Sequence, residues 1–130
     1  ASDVYKRQLL HEQQNPEHPD HAVTRRLRAH LEQQTDAAGR RFEIVDLPAP
    51  ATLRDDEGFV DWSYVNHLVT NDGVVACGFG DEQADAAARA ILADVYPGRR
   101  VVTVDARPLF DRGGGIHCIT QQQPSVGVPA

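Results

Sequence analysis

The pattern that most restricts the fold lies between residues 81 and 96 of the 130-residue chain. Apolar side chains recur there at the spacing of one helix face, at positions Ala84, Ala87, Ala88, Ile91, Leu92 and Val95. Asp81 and Glu82 favour the N-terminus of a helix through the helix dipole, and Pro97-Gly98 ends it. Because small residues begin this face, we expect the helix to pack closely against a sheet.

Stretches rich in strand-forming residues lie on both sides of this helix. Residues 63–70 and 74–79 are two of them, and Asn71-Asp72-Gly73 between them predicts a hairpin, since glycine tolerates the positive φ that such loops need. Residues 101–105 predict a third strand. Apolar residues show little alternation in 63–70 and 74–79, so we place these two strands in an interior sheet. The order of elements predicts a ββαβ unit.

The first half of the chain carries a weaker version of the same pattern. Residues 8–14 pass from apolar to polar, which is typical of a strand that enters a loop. An apolar stripe then predicts an amphipathic helix with Asp20 as its N-cap and Gly39 at its end. The stripe consists of Val23, Leu27 and Leu31. Residues 42–47 predict a strand that Pro48 stops.

The composition excludes some classes of partner. The net charge is −6, and the sequence has no basic stripe with interleaved aromatic residues, so we expect no nucleic acid to bind. No apolar run approaches the ~20 residues that span a bilayer, so we expect no membrane partner. Two cysteines and the lack of a secretory signal in residues 1–8 favour free thiols and a cytoplasmic location.

A glycine-rich stretch near the end of the chain precedes one of the two cysteines. Gly113, Gly114 and Gly115 remove every side chain from one piece of backbone, so a flat ligand can approach the main chain there. Cys118 behind this approach is a candidate nucleophile. The alternative is a buried free cysteine beside a tight turn, which is the commoner fate of a lone cysteine. Cys77 lies in an apolar run and is interpreted as packing.

The run Gly-Gly-Gly-Ile-His-Cys-Ile-Thr-Gln-Gln over residues 113–122 resembles the C-terminal active-site signature of the agmatine deiminases. These are guanidino-group-modifying enzymes and close relatives of the bacterial peptidyl-arginine deiminases. The likeness continues upstream through Ser-Tyr-Val-Asn at 63–66, Phe-Gly-Asp-Glu at 79–82 and Thr-Asp-Ala-Ala-Gly-Arg at 35–40. It therefore covers most of the chain, from about residue 15 to residue 124.

The resemblance implies an activity and its site residues. Agmatine would be hydrolysed to N-carbamoylputrescine and ammonia, on the way to putrescine, through an amidino group carried by Cys118. Gly113, Gly114 and Gly115 would line the binding site of this cationic guanidino substrate, and no cofactor or metal would take part. Two alternatives stay open: a peptidyl-arginine deiminase of the same fold, and a non-catalytic α/β module that binds guanidino compounds or assembles with copies of itself.

The resemblance also implies a fold, an α/β propeller of five ββαβ blades called a pentein. Residues 1–130 would be a C-terminal fragment of one deiminase domain, about one and a half blades long, with a non-native start over 1–8 and a frayed tail over 125–130. In this family the general base belongs to a His-x-Asp motif on an apolar strand. His18-Pro19-Asp20 matches those letters only, within a polar loop. We therefore expect the base and the substrate-binding carboxylates upstream of residue 1, and the chain alone to be inactive.

The other histidines and acidic residues carry weaker signals. An extended segment over 116–120 would point His117 away from Cys118, so we exclude His117 as the base. His67 is interpreted as a hydrogen-bonded core histidine, and Asn66 either as a neighbour of the site or as part of a sheet edge. The acidic run at residues 55–57 is interpreted as a solvated loop. His11, His18 and His21 lack a fourth ligand and a rigid element, so we predict no metal site.

Overall fold

The first sheet consists of two parallel strands. In the computed structural model, which describes residues 7–123, β1 (Arg7–Glu12) pairs in parallel with β2 (Glu43–Pro48). The helix α1 (Pro19–Leu31) lies in the connection between them and contacts β1. Both predicted strands are confirmed with small shifts at their ends. Pro48 is the last residue of β2, rather than a stop beyond it.

Helix α1 begins and ends at different residues from those predicted. Its N-cap is His18, whose side chain accepts a hydrogen bond from the main-chain N–H of Asp20 at 3.1 Å. The helix ends at Leu31, well before Gly39. Gly39 instead takes a φ of 76° in a separate turn, and the Asp36 side chain closes this turn by accepting two main-chain N–H groups. The local turn therefore competes with the helix and ends it early.

The apolar stripe of α1 is present but is not buried among the described residues. Val23 is 47% exposed and Leu27 is 44% exposed, whereas the buried residue of the helix is Thr24. The sequence predicted an amphipathic helix with an apolar stripe, and the structure has this helix with the stripe largely exposed within residues 7–123.

The second sheet has three strands in the order β3, β4, β5. The strand β3 (Leu68–Val69) is antiparallel to β4 (Gly73–Gly78), and β4 is parallel to β5 (Arg100–Asp105). The predicted hairpin is confirmed, and Thr70 closes its turn by donating its main-chain N–H to the Gly73 carbonyl at 2.8 Å. The first strand is much shorter than the predicted 63–70, because residues before Leu68 form a turn instead.

The helix α2 (Glu82–Val95) connects β4 to β5 and confirms the clearest pattern of the sequence. Its N-cap is Asp81, which accepts from the main-chain N–H of Ala84 at 3.1 Å. Of the predicted face, Ala87 is exposed, whereas the buried members are Ala88, Leu92 and Val95. The order β3, β4, α2, β5 is the ββαβ order that the sequence predicted.

Aromatic side chains form the part of the core nearest the glycine-rich stretch. Phe79 stacks on Trp62 with ring centroids 5.2 Å apart and contacts Tyr64 and Phe110 edge to face. The hydroxyl of Tyr64 donates to Asp85 of α2 at 2.6 Å. These contacts hold residues 62–64 and the short helix α3 (Arg107–Phe110) to one core.

The described structure runs from residue 7 to residue 123. Residues 1–6 and 124–130 lie outside it, so the expected non-native start over 1–8 falls mostly on residues without a described structure, and the tail at 125–130 falls wholly on them. Within residues 7–123, no helix combines the length and the apolar content that crossing a bilayer requires.

Candidate active site

Two segments of the chain border a cleft of about 290 Å³ that contains Cys118. One segment precedes β3, and the other begins at the last residue of α3 and runs into a short 3₁₀ helix. Each is held by the aromatic core beneath it. The first contributes Asp61, Ser63, Val65 and Asn66, and the second contributes Phe110, Gly113, Gly114, His117 and Cys118.

Cys118 lies in a short 3₁₀ helix, His117–Ile119, and the predicted extended conformation of 116–120 is wrong. Thr120 causes the difference, because its main-chain N–H and its hydroxyl both donate to the His117 carbonyl, at 3.1 and 2.9 Å. In a tight helix, neighbouring side chains do not point to opposite faces. The argument that excluded His117 therefore fails, and its side chain lines the same cleft as Cys118.

The three glycines allow this loop to close tightly. Gly113 has a φ of 92°, which favours glycine. A Cβ on Gly114 would lie 2.8 Å from the Cβ of Cys118, and one on Gly115 would lie 2.6 Å from Cγ of Asn66. The missing side chains therefore give room to the thiol and to the amide beside it. That the glycines also bind substrate stays a prediction.

The Cys118 thiol is exposed and is held in a polar environment. Asn66 donates its Nδ2–H to the Cys118 Sγ at 3.1 Å. This bond, followed by a main-chain hydrogen bond from Gly115, lowers the pKa of Cys118 below that of an ordinary thiol, and the Asp61 carboxylate acts in the opposite direction. The alternative of a buried cysteine is wrong for Cys118.

Cys77 shows the contrasting behaviour of a structural cysteine. It is buried in β4, and its Sγ donates to the main-chain oxygen of Asn66 at 3.0 Å. Burial raises the pKa of Cys77 to about 11. The interpretation of this residue as packing is confirmed, and its thiol provides an internal reference for the reactivity of Cys118.

His67 is a hydrogen-bonded core histidine, as predicted. Its Nδ1 lies 2.9 Å from the carbonyl oxygen of Tyr64, which can only accept, so Nδ1 carries the proton. Its Nε2 lies 3.1 Å from the Tyr96 hydroxyl and accepts from it. Burial lowers the pKa of His67, which favours this neutral form.

The three N-terminal histidines each have a separate partner. The ring nitrogens of His11, His18 and His21 lie within 3.0 Å of the Ser63 hydroxyl, the Val60 carbonyl and the Gln13 carbonyl respectively. Within residues 7–123, no group of three His, Cys, Asp or Glu side chains is arranged to hold a metal. In the acidic run, Asp55 accepts two main-chain N–H groups of its own turn, as expected for a solvated loop.

The sequence did not point to two residues of the cleft, and it left a third undecided. Asp61 lies in a predicted loop and Ser63 begins a predicted strand, and neither position indicates that the residue borders the thiol. Asn66 lies 52 residues from Cys118, so only the fold shows that the two side chains touch. The likeness over 63–66 marked this segment, but it did not specify a contact.

An exposed thiol with a lowered pKa, behind a side-chain-free loop in a mixed α/β unit, defines a protein with a candidate nucleophilic cysteine. The family model of the Porphyromonas-type peptidyl-arginine deiminases matches residues 4–124. The chain belongs to this family.

Individual relatives agree with this assignment. A protein of Streptomyces coelicolor is 51% identical over 117 residues, which are 89% of this chain and 34% of that protein. The agmatine deiminase of Pseudomonas putida is 40% identical over 113 residues, covering 73% of this chain and 30% of that protein. The chain thus spans about a third of the length of these curated relatives.

Solved structures share the fold. A structure of the agmatine deiminase of Enterococcus faecalis superposes with a TM-score of 0.83 at 28% identity, covering 92% of this chain and 37% of that one. A structure from Porphyromonas gingivalis gives a TM-score of 0.84 at 24% identity, covering 92% of this chain and 35% of that one. The second similarity shows the fold alone.

Proposed function

We propose that a protein containing this chain hydrolyses the guanidinium group of agmatine to N-carbamoylputrescine and ammonia, with Cys118 as the nucleophile. The exposed Cys118 thiol, which accepts a hydrogen bond from Asn66 in the cleft, is the observation that carries this proposal. The name of the Pseudomonas putida relative supports agmatine as the substrate.

The proposed reaction has two stages. The Cys118 thiolate attacks the guanidinium carbon, the tetrahedral adduct forms, and one C–N bond breaks as ammonia leaves with a proton. The amidino group is then bonded to sulfur. Water adds to the same carbon, the C–S bond breaks, and the ureido product leaves while the thiolate is regenerated. Each proton transfer needs a general acid or base, and none of these steps requires a cofactor.

The general base is proposed to belong to a His-x-Asp motif outside residues 1–130. His18-Pro19-Asp20 is not proposed for this role, because it runs from an N-cap into the first turn of α1 and its histidine already bonds to the Val60 carbonyl. His117 is the second candidate, because it lines the cleft.

We also propose that the chain is a C-terminal part of a five-bladed propeller and, alone, does not turn over agmatine.

The name of the Pseudomonas putida relative favours agmatine over a peptidyl arginine as the substrate. Agmatine carries a cation at each end, whereas an arginine within a peptide carries only the guanidinium. The Asp61 carboxylate in the cleft can attract the guanidinium of either substrate, so an assay has to separate them. Turnover of agmatine, compared with turnover of an arginine peptide blocked at both ends, distinguishes the two substrates.

The decisive variant is Cys118→Ser in the protein that contains this chain. Turnover of agmatine, measured as ammonia release, is expected to fall by several decades, because attack by water does not replace the covalent steps. Cys77→Ser is the matched control, since serine keeps a donor to the Asn66 carbonyl, and it is expected to retain most of the turnover.

Mass spectrometry of the enzyme quenched during turnover completes the test. An added amidino group is expected on the peptide that contains Cys118 and not on the peptide that contains Cys77. Full activity of Cys118→Ser, or the lack of any adduct at Cys118 during steady turnover, would remove this residue from the proposed role. Binding of agmatine without any turnover would instead favour a guanidino-binding module.

A further inference from the structure

We propose that Asn66 is a positioning residue that holds Cys118 in its reactive form through both ends of its side-chain amide. Nδ2 donates to the Cys118 Sγ at 3.1 Å, and Oδ1 accepts the main-chain N–H of His117 at 2.8 Å. One side chain therefore binds the thiol and the backbone that carries it. The catalytic meaning of this arrangement rests on the proposed function, but the arrangement can be tested without turnover.

The His117 N–H fixes the orientation of the amide. A main-chain N–H can only donate, so the amide atom that it meets at 2.8 Å must be the oxygen. The other end of the amide, the NH₂ group, then points to the sulfur. A rotated amide would place two donors against each other at His117 and an oxygen against the sulfur. The assignment of the two amide atoms therefore follows from the contacts around them.

Packing holds Asn66 in this position. Its main-chain carbonyl oxygen accepts from the buried Cys77 Sγ at 3.0 Å, and its main-chain N–H donates to the main-chain carbonyl of Ser63 at 3.2 Å. The amide fits only because Gly115 has no side chain, since a Cβ there would lie 2.8 Å from Oδ1. The residue is thus anchored to β4 on one side and fitted into the glycine loop on the other.

The donor at Nδ2 acts on the charge of the sulfur. A hydrogen bond to the charged form of a group stabilises that form, and here the charged form is the thiolate. Among the described residues that line the cleft, the ionisable groups besides Cys118 are Asp61 and His117, and the Cys77 thiol bonds to the main-chain oxygen of Asn66. The Asp61 carboxylate disfavours the thiolate, so the Asn66 amide offsets an unfavourable neighbour.

Asn66→Asp is the sharpest test, because it has the same shape as asparagine and keeps an oxygen for the His117 N–H. It replaces the donor to sulfur with a negatively charged acceptor. Alkylation of Cys118 by iodoacetamide, followed across pH by peptide mass spectrometry, gives the midpoint for thiolate formation. We expect this midpoint to rise by about one pH unit or more, since a like charge in contact shifts a pKa by about that amount.

Asn71→Asp is the matched control. It makes the same chemical change in the hairpin loop, outside the cleft, and is expected to leave the midpoint of Cys118 unchanged. Cys77 reports on folding in the same samples, because a buried thiol is alkylated only when the protein opens. An unchanged midpoint in Asn66→Asp, with Cys77 still protected, overturns the proposal.

Asn66→Ser decides the matter if the Asp variant exposes Cys77. It adds no charge and removes atoms, and its hydroxyl is too short to span the two contacts, so the midpoint is again expected to rise. A midpoint equal to that of the unmodified protein, with Cys77 protected, contradicts the proposed role of Asn66. These results are separate from the proposed function, because absence of agmatine turnover in the unmodified protein would leave the alkylation shift intact.

Discussion

The Tyr64 hydroxyl provides a quantitative test of the contact that ties the cleft to α2. Tyr64 is fully buried, and its hydroxyl donates to Oδ1 of Asp85 at 2.6 Å. A hydrogen bond to a charged group contributes about 1.5–3 kcal/mol to stability. In Tyr64→Phe the Asp85 carboxylate keeps its bonds from the main-chain N–H of Phe79, at 3.0 and 3.2 Å, so no oxygen is left unpaired.

The expected loss therefore lies at the lower end, at about 1.5 kcal/mol in the free energy of unfolding. Since 1.4 kcal/mol corresponds to a factor of ten, the unfolding equilibrium changes roughly tenfold at neutral pH. Urea unfolding of the two proteins measures this difference. Tyr96→Phe is the matched control: it removes a hydroxyl that bonds to the neutral His67, and a neutral bond contributes only about 0.5–1.5 kcal/mol.

The pH dependence gives a second signature of the same contact. Burial and the bond to Asp85 raise the pKa of Tyr64 above its ordinary value of about 10. The folded protein thus keeps the phenolic proton where the unfolded chain loses it, so this stability is present below pH 10 and declines as the pH rises further. The difference between the protein and Tyr64→Phe should shrink above about pH 10. If the free energies of unfolding of the protein and of Tyr64→Phe differ by less than about 0.5 kcal/mol at neutral pH, the reasoning is refuted.

Three further outcomes follow from the site and the core. Asp61→Asn is expected to shift the alkylation midpoint of Cys118 to lower pH, because the Asp61 carboxylate raises the pKa of that thiol. Gly114→Ala is expected to slow alkylation of Cys118 at high pH, where all of the thiol is ionised, since the new Cβ would lie 3.0 Å from Sγ. Burial lowers the pKa of His67, so the free energy of unfolding is expected to fall as the pH drops below about 6.5. Urea unfolding across pH should show a less steep fall in His67→Gln.

Local patterns in the sequence predicted the elements that depend on local physics. The helix α2 and the hairpin before β4 follow from side-chain period and from glycine, which act within a few residues of each other. The end of α1 was missed because the Asp36 side chain builds a competing turn. The extended conformation predicted for 116–120 was wrong because Thr120 folds back onto His117. In both cases one polar side chain outweighed the general tendency of the segment.

The candidate site also has a part that the local sequence predicts and a part that only the fold brings together. Cys118 and its glycines stand together in the sequence, so a local motif was enough to identify them as candidates. The contact with Asn66 and the nearness of Asp61 depend on how the loop before β3 meets the loop after α3. No short-range pattern encodes that meeting, since it is fixed by the aromatic packing of Phe79 with Trp62 and Phe110.

Asn66 lowers the pKa of Cys118 and Asp61 raises it, and the balance between these two effects bears on the chemistry. A cleft that attracts a cation with Asp61 also disfavours a thiolate, because the two negative charges repel each other. The amide of Asn66 opposes this effect without adding a positive charge, which would repel a guanidinium. A lysine or arginine in its place would favour the thiolate but would weaken binding of the cation. A neutral donor in contact with the sulfur is therefore the group that serves both requirements of the proposed reaction.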